Sequence, residues 1–351
     1  MAKHLPHDLA QMQSLPLEAK IVMTQQRIRQ WYEYWEGQVY VSLSGGKDST
    51  VLKHIVDGMY DDVPAVFVNT GLEYPEIQAF VREIKAGKYD CFNPDVEVVR
   101  PEMRFDEVLK KYGYPVISKV VSNRVAGAKP NNTRWLQLKG EFKDPKTGEL
   151  SKFNSPKYGY LLNAPFSISD KCCLIMKKKP AKKYAKETKR KPMLGLMANE
   201  SEQRYNAWLQ TGCNAFALKE PQSQPMAFWT EQDILHYIKK YNVPYCSVYG
   251  DIVPTDKGEE ELEGQLTTFD VLGDYEGTRL KTTGCTRTGC IFCMFGCHLE
   301  KEPNRFQRLK ETHPRQHEYC IGGGEMVEDK WQPSKEGLGL GKVLDYINVK
   351  Y

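Results

Sequence analysis

Val39-Tyr40-Val41-Ser42-Leu43, followed by Ser44-Gly45-Gly46-Lys47-Asp48-Ser49-Thr50, is the stretch whose reading decides the fold. A β-branched, apolar run that ends in paired glycines, a lysine and hydroxyl residues, then continues into Val51 and Leu52, reads as strand, tight loop and helix start. Such a loop suits phosphate. Glycines let the backbone approach an anion, successive N–H groups point inward, and the helix N-terminus adds partial positive charge. Lys47 supplies a mobile full charge, and Ser44, Ser49 and Thr50 supply donors.

Outward from this loop, Leu17 to Trp35 lacks Gly and Pro and spaces Leu17, Ile21, Ile28, Trp31 and Trp35 as an amphipathic helix leading into the first strand. Asp48 to Met59 should be the helix that meets phosphate. Pro64 to Asn69 reads as a second strand, Ile77 to Ala86 as a helix, Val96 to Val99 as a third strand and Pro192 to Ala198 as another buried one. Thr230 is a fair N-cap for a helix running to Tyr241, with Asp233 in its first turn and Trp229 in the core. From Tyr112 to Tyr160 the pattern is irregular and suggests a long insertion or arm. Asp251 to Lys281, with Glu259, Glu260 and Glu261, suggests a surface excursion.

The chain has 351 residues, 40% of them hydrophobic, enough for one large or two modest domains with a real core. Its formal charge of +4 is spread over mixed signs, so the total implies no polyelectrolyte partner. No apolar run approaches the roughly 18 residues of a membrane span, and the first residues lack a signal-peptide core, so a cytoplasmic protein without membrane contact is expected.

Ten cysteines are many for such a chain. A tandem pair, Cys172-Cys173, and a tight cluster around Cys290-x-x-Cys293 point to metal ligation before disulfides. C-x-x-C presents two thiolates on one turn, half of a zinc or iron–sulfur site. A local set of Cys285, Cys290, Cys293 and Cys297, binding zinc or a cluster, competes with the split set of Cys172, Cys173, Cys290 and Cys293. Lys177 to Lys191 carries nine Lys or Arg in fifteen residues, which serves as a solvated face, a phosphate or sulfate clamp, or a nucleic-acid track. Only Tyr184 interleaves it, which is thin for stacking on bases.

Ser44 to Ser49, S-G-G-K-D-S, resembles the PP-loop of the ATP pyrophosphatase superfamily, which grips the pyrophosphate end of ATP. Asn69-Thr70-Gly71-Leu72-Glu73-Tyr74-Pro75-Glu76 resembles the D-T-G-x-x-F-P-E segment of the phosphoadenosine phosphosulfate (PAPS) reductase family within that superfamily, with Asn69 replacing the aspartate. Gly195, Glu200, Ser201 and Arg204 match its G-x-R-x-x-E-S-x-x-R segment, with Met197 in place of the first arginine. Pro225, Trp229, Asp233 and Tyr249 match a further block, and Cys172-Cys173 with Cys290-x-x-Cys293 resembles the ligand pattern of the [4Fe–4S] sulfonucleotide reductases. Glu318-Tyr319-Cys320 is a loose likeness of their catalytic E-C-G-x-H cysteine.

The resemblance implies an α/β fold, a doubly wound and mainly parallel sheet of the adenine nucleotide alpha-hydrolase type with a small C-terminal cysteine module. Residues 1–35 would be a helical extension, 36–250 the nucleotide-binding domain and 251–351 the cysteine-rich module and tail. It also implies nucleotide contacts at Ser44, Gly45, Gly46, Lys47, Asp48, Ser49, Thr50, Asn69, Thr70, Gly71 and Arg204, with Lys47 and Cys320 catalytic. An iron–sulfur cluster and ATP with Mg, or PAPS or adenosine phosphosulfate (APS), are the implied cofactors, zinc being the alternative metal. The implied reading is an ATP-dependent sulfurtransferase, similar to those that thiolate tRNA or install phosphorothioate in DNA, with a sulfur- or electron-donor protein as partner. A PAPS or APS reductase releasing sulfite competes with it, as does a nucleotide- and cluster-sensing regulator without turnover.

Overall fold

The computed structural model describes residues 4–255 and 278–351, divided between two compact units. The first takes in residues up to Asn69, Glu73–Val99 and Ala181–Thr288; the second takes in Thr70–Leu72, Arg100–Pro180 and Gly289–Tyr351. They interleave along the sequence.

In the first unit, β1 (Val39–Leu43) is buried at four of its five residues, as a strand covered on both faces must be. It is flanked by β2 (Ala65–Val68) and β3 (Val96–Val99) on one side, and by β4 (Lys191–Leu194) on the other. Two short strands, β5 (Asn214–Ala215) and β6 (Gln222–Ser223), complete the order β3-β2-β1-β4-β6-β5. All pairings are parallel except β5 with β6, and Val41 stands in register with Ala65 and Met193. The strand order reverses at β1, which opens a crevice beyond the carboxyl ends of β1 and β4 where such sheets bind ligands.

The expected N-terminal helix spans Leu17–Tyr34 and joins this unit's core through Leu17, Ile28 and Trp31. Trp229 is fully buried, as expected, and its indole N–H donates to Thr24 Oγ1 at 2.8 Å. Helix Glu231–Tyr241 starts at Thr230 with a reciprocal cap in which Asp233 Oδ2 accepts from Thr230 N at 2.6 Å. The same carboxylate meets Lys20 Nζ at 2.8 Å with both side chains buried, so one acid caps one helix and ties down another. Gly195, just past β4, lies where a Cβ would come within 2.9 Å of Asp48 O and Ser49 Cα, and a side chain there would push the helix that follows β1 away.

In the second unit the stretch from Tyr112 to Tyr160 is not the expected irregular arm. It holds helices Lys119–Ala126 and Thr133–Lys139, and a 3₁₀ turn at Pro156–Asn163. These are too short for periodicity to reveal. Their boundaries come from caps, Ser118 accepting from Val121 N and Asn132 from Trp135 N, with left-handed Gly140 ending the second helix. Buried Tyr114 donates from its hydroxyl to Leu338 O at 2.9 Å, and Phe306, Leu340, Val343 and Leu344 are buried in the same unit. Back in the first unit, β7 (Ile252–Pro254) and β8 (Leu280–Thr282) pair antiparallel; Glu259, Glu260 and Glu261 lie outside the described residues. Among those described, no helix is long and apolar enough to cross a membrane.

Removing one partner of the Lys20–Asp233 pair leaves a buried, uncompensated charge. Asp233→Ala is expected to cost about 3–5 kcal/mol in chemical unfolding, and Lys20→Met with Asp233→Leu to recover most of that loss.

Candidate functional site

The crevice at the ends of β1 and β4 is built first by backbone. Gly45 adopts φ +73°, and a Cβ on it would meet Ile77 Cγ2 at 2.7 Å, so glycine is required on both counts. The loop is laced by its own hydroxyls. Ser44 and Ser49 share a 2.9 Å hydrogen bond, and Ser49 and Thr50 each donate to Gly46 O at 3.0 Å. Helix Lys47–Asp57 then begins with Lys47 at its first position.

Lys47 is buried, its side chain only 4% exposed, and its partners come from distant sequence. Its Nζ lies 3.1 Å from Glu231 Oε1 and 3.5 Å from Asp48 Oδ1, and donates to Thr286 O at 3.1 Å. Burial alone would lower its pKa, but Asp48 and Glu231 outweigh that and raise it, keeping the ammonium charged. Burial raises the Asp48 carboxyl, against the pull of Lys47. The Lys47 backbone N–H donates to Tyr249 OH at 3.1 Å, and that hydroxyl pairs with Thr288 Oγ1 at 2.7 Å.

Beyond β4, Ser201 caps helix Glu202–Thr211 by accepting from Arg204 N. The Arg204 side chain contacts Glu200, and Arg287 Nη2 reaches the other oxygen of the same carboxylate at 3.2 Å. Asn69 sits just past β2 with its N–H on Val99 O at 2.9 Å. Thr70 and Gly71 belong to the second unit, where Thr70 Oγ1 accepts from Leu72 N and Gly71 is left-handed.

The tandem and C-x-x-C cysteines all belong to the second unit. Cys172 and Cys173 form a helical turn that passes into a π-helical turn, Leu174–Lys178, while Cys293 N donates to Cys290 O at 3.1 Å to close the knuckle. A hydrogen bond from Cys172 lowers the Cys173 thiol to about 6 against the effect of burial, helped by Lys119, Lys177 and Lys178. The same hydrogen bond and burial raise Cys172, which also feels Cys290, Cys173 and Cys293. Among the described residues, no three His, Cys, Asp or Glu converge closely enough to hold a single metal ion.

The other thiols are placed differently. Cys285 belongs to the first unit, near Cys246. Cys297 donates to Met294 O at 3.1 Å, and burial pushes it up to about 12. Cys320 is 0% exposed within helix Pro314–Ile321, and burial raises its thiol. Of the basic segment, Lys179–Thr188 is helical, with Tyr184 buried against Tyr40 and Lys179, Lys182, Lys183 and Lys186 exposed.

Sequence reading missed Glu231, Thr286, Arg287 and Thr288 as neighbours of the loop, and gave Tyr249 only as a match to a family block. The one available signal was the match of Tyr249 to a family block; Thr286 to Thr288 stand in no motif.

The family model for the phosphoadenosine phosphosulfate reductase domain matches residues 38–126 and 133–294. An uncharacterized protein of Methanocaldococcus jannaschii is 36% identical over 91 residues, a match covering 25% of this chain and 21% of that protein. A crystal structure of PAPS reductase from Candida auris, in complex with phosphate, is similar over 64% of this chain and 82% of that one, at 16% identity and a TM-score of 0.35. With the family model spanning the loop, the crevice and the C-x-x-C knuckle, well over half of the sequence, the chain belongs to the phosphoadenosine phosphosulfate reductase domain family, whose common ground is nucleotide-related sulfur chemistry.

Proposed function

We propose that this chain binds ATP at Ser44–Thr50, activates an acceptor oxygen as its adenylate and transfers sulfur to the activated centre. The observation that carries this reading is a complete S-G-G-K-D-S loop at the sheet's switch point, with a buried, charged lysine at the helix start. The acceptor oxygen attacks the α-phosphorus, the bond to the bridging oxygen breaks and pyrophosphate leaves. Sulfur at the sulfide level then attacks the acceptor centre, and AMP departs with the former acceptor oxygen. Lys47 offsets the charge gathering on pyrophosphate, the Gly45–Gly46 backbone admits the phosphates, and magnesium would enter with ATP.

An iron–sulfur cluster is the cofactor of this reading, with zinc as the alternative metal; C-x-x-C thiolates serve either. Cys172, Cys173, Cys290 and Cys293 would hold it, with nearby lysines favouring the thiolate at Cys173. When bound, the cluster would supply electrons or a site for the transferred sulfur. Cys297 already donates to the Met294 carbonyl, which makes it the less suited ligand.

A sulfonucleotide reductase is the second reading, favoured by family membership. It needs a thiol that can reach a sulfonate, and the buried Cys320 argues against it. A nucleotide sensor would bind without turnover. The exposed lysines of helix Lys179–Thr188 are compatible with a nucleic-acid acceptor, and ten cysteines outside any disulfide with a cytoplasmic setting, where a donor protein would bring sulfur or electrons.

Purified anaerobically, the protein should release pyrophosphate from ATP when acceptor is supplied; thiol-dependent sulfite release from PAPS or APS without ATP would establish the reductase instead. Lys47→Ala removes a charged phosphate contact worth about 1.5–3 kcal/mol, so calorimetry should show ATP affinity falling by about 10- to 100-fold. Cys172→Ser and Cys290→Ser should lose iron and visible absorbance while Cys285→Ser keeps both; the opposite pattern points to the local ligand set.

A further inference from the structure

Lys47 stands in the loop, Arg204 and Arg287 both interact electrostatically with its Asp48, and each of the three cations is already met by a carboxylate. Lys47 has Asp48 and Glu231, while Arg204 and Arg287 share Glu200. Glu200 is 13% exposed, and its Oε2 also accepts from Met197 N at 2.9 Å, which fixes the carboxylate at the end of β4. One negative charge thus serves two guanidinium groups. The surplus is felt at Arg204, which burial first and Arg287 next push below the usual arginine range, with Asp48 opposing them.

Arg287 is flanked by two anchors. Thr286 O accepts from Lys47 Nζ, and Thr288 pairs with the Tyr249 hydroxyl that accepts from Lys47 N. Its backbone is therefore pinned to the loop on both sides while its side chain, 63% exposed, retains reach.

We propose that Arg287, with Arg204, is an anion ligand of the nucleotide site, and that Glu200 is a built-in surrogate anion which the nucleotide's phosphate oxygens replace. The proposal rests on the ATP-site reading above. A phosphate carries more charge than one carboxylate and offers each guanidinium a bidentate face, so the exchange favours the substrate. Glu200 keeps the Met197 N–H afterwards. A ligand without a comparable anionic group cannot perform the exchange, so the pair selects for phosphate.

Calorimetry on the full chain with ATP and with inorganic pyrophosphate tests this, using Arg287→Ala, Arg287→Lys, Glu200→Gln and Lys47→Ala. Arg287→Ala should weaken both ligands by about tenfold, with partial recovery in Arg287→Lys. Glu200→Gln keeps an acceptor for Met197 N–H and frees both arginines, so pyrophosphate should bind several-fold tighter, a gain that loss of structure cannot mimic. Unchanged affinities in Arg287→Ala, or weaker pyrophosphate binding in Glu200→Gln, overturn the assignment. If Lys47→Ala weakens ATP and Arg287→Ala does not, only the role of Arg287 falls; if neither does, the nucleotide site itself is misplaced.

Discussion

A buried ammonium needs negative charge close by, and the arrangement around Lys47 follows from that requirement. Its helix starts against β1 and nearly touches the backbone after β4, so the charge sits where the strand order reverses. Water cannot solvate it there. Asp48, Glu231 and the Thr286 carbonyl do so instead, drawing the start of helix Glu231–Tyr241 and the segment before Gly289 to one point of the first unit. Glu231 immediately follows Thr230, whose cap with Asp233 also fastens the N-terminal helix through Lys20. Loop and scaffold are thereby linked by adjacent residues at one helix terminus.

Much of the first unit was legible in the sequence because its elements obey simple periodicities. The β1, β2 and β3 runs are apolar and short, and the Leu17–Tyr34 and Glu231–Tyr241 helices carry clear apolar faces or caps. The second unit was far less so. Helices of seven or eight residues such as Lys119–Ala126 and Thr133–Lys139 span about two turns, too few for an amphipathic repeat to stand out, and their stability comes from packing rather than propensity.

The site divides the same way. Ser44 to Thr50 is contiguous, so its glycines, lysine and hydroxyls could be read together as one candidate loop, and the paired cysteines as candidate ligands by their proximity in sequence. Glu231, Tyr249 and Thr286 reach the loop from almost two hundred residues or more away, Arg287 meets Glu200 beside it, and each is an ordinary residue in an ordinary local setting. Only folding makes them neighbours. Cys320 illustrates the converse: a cysteine placed late in the chain invites a catalytic role, yet its side chain is enclosed by the packing of its helix.

The hairpin of β7 and β8 has a further meaning. Pro254 pairs with Leu280, and the Gln232 side chain clamps Leu280 from both sides, accepting from its N–H and donating to its carbonyl, each at 2.9 Å. Gln232 directly follows Glu231, the residue that meets Lys47, so the hairpin and the buried ammonium hang from neighbouring side chains of one helix start, and neither can shift without the other feeling it.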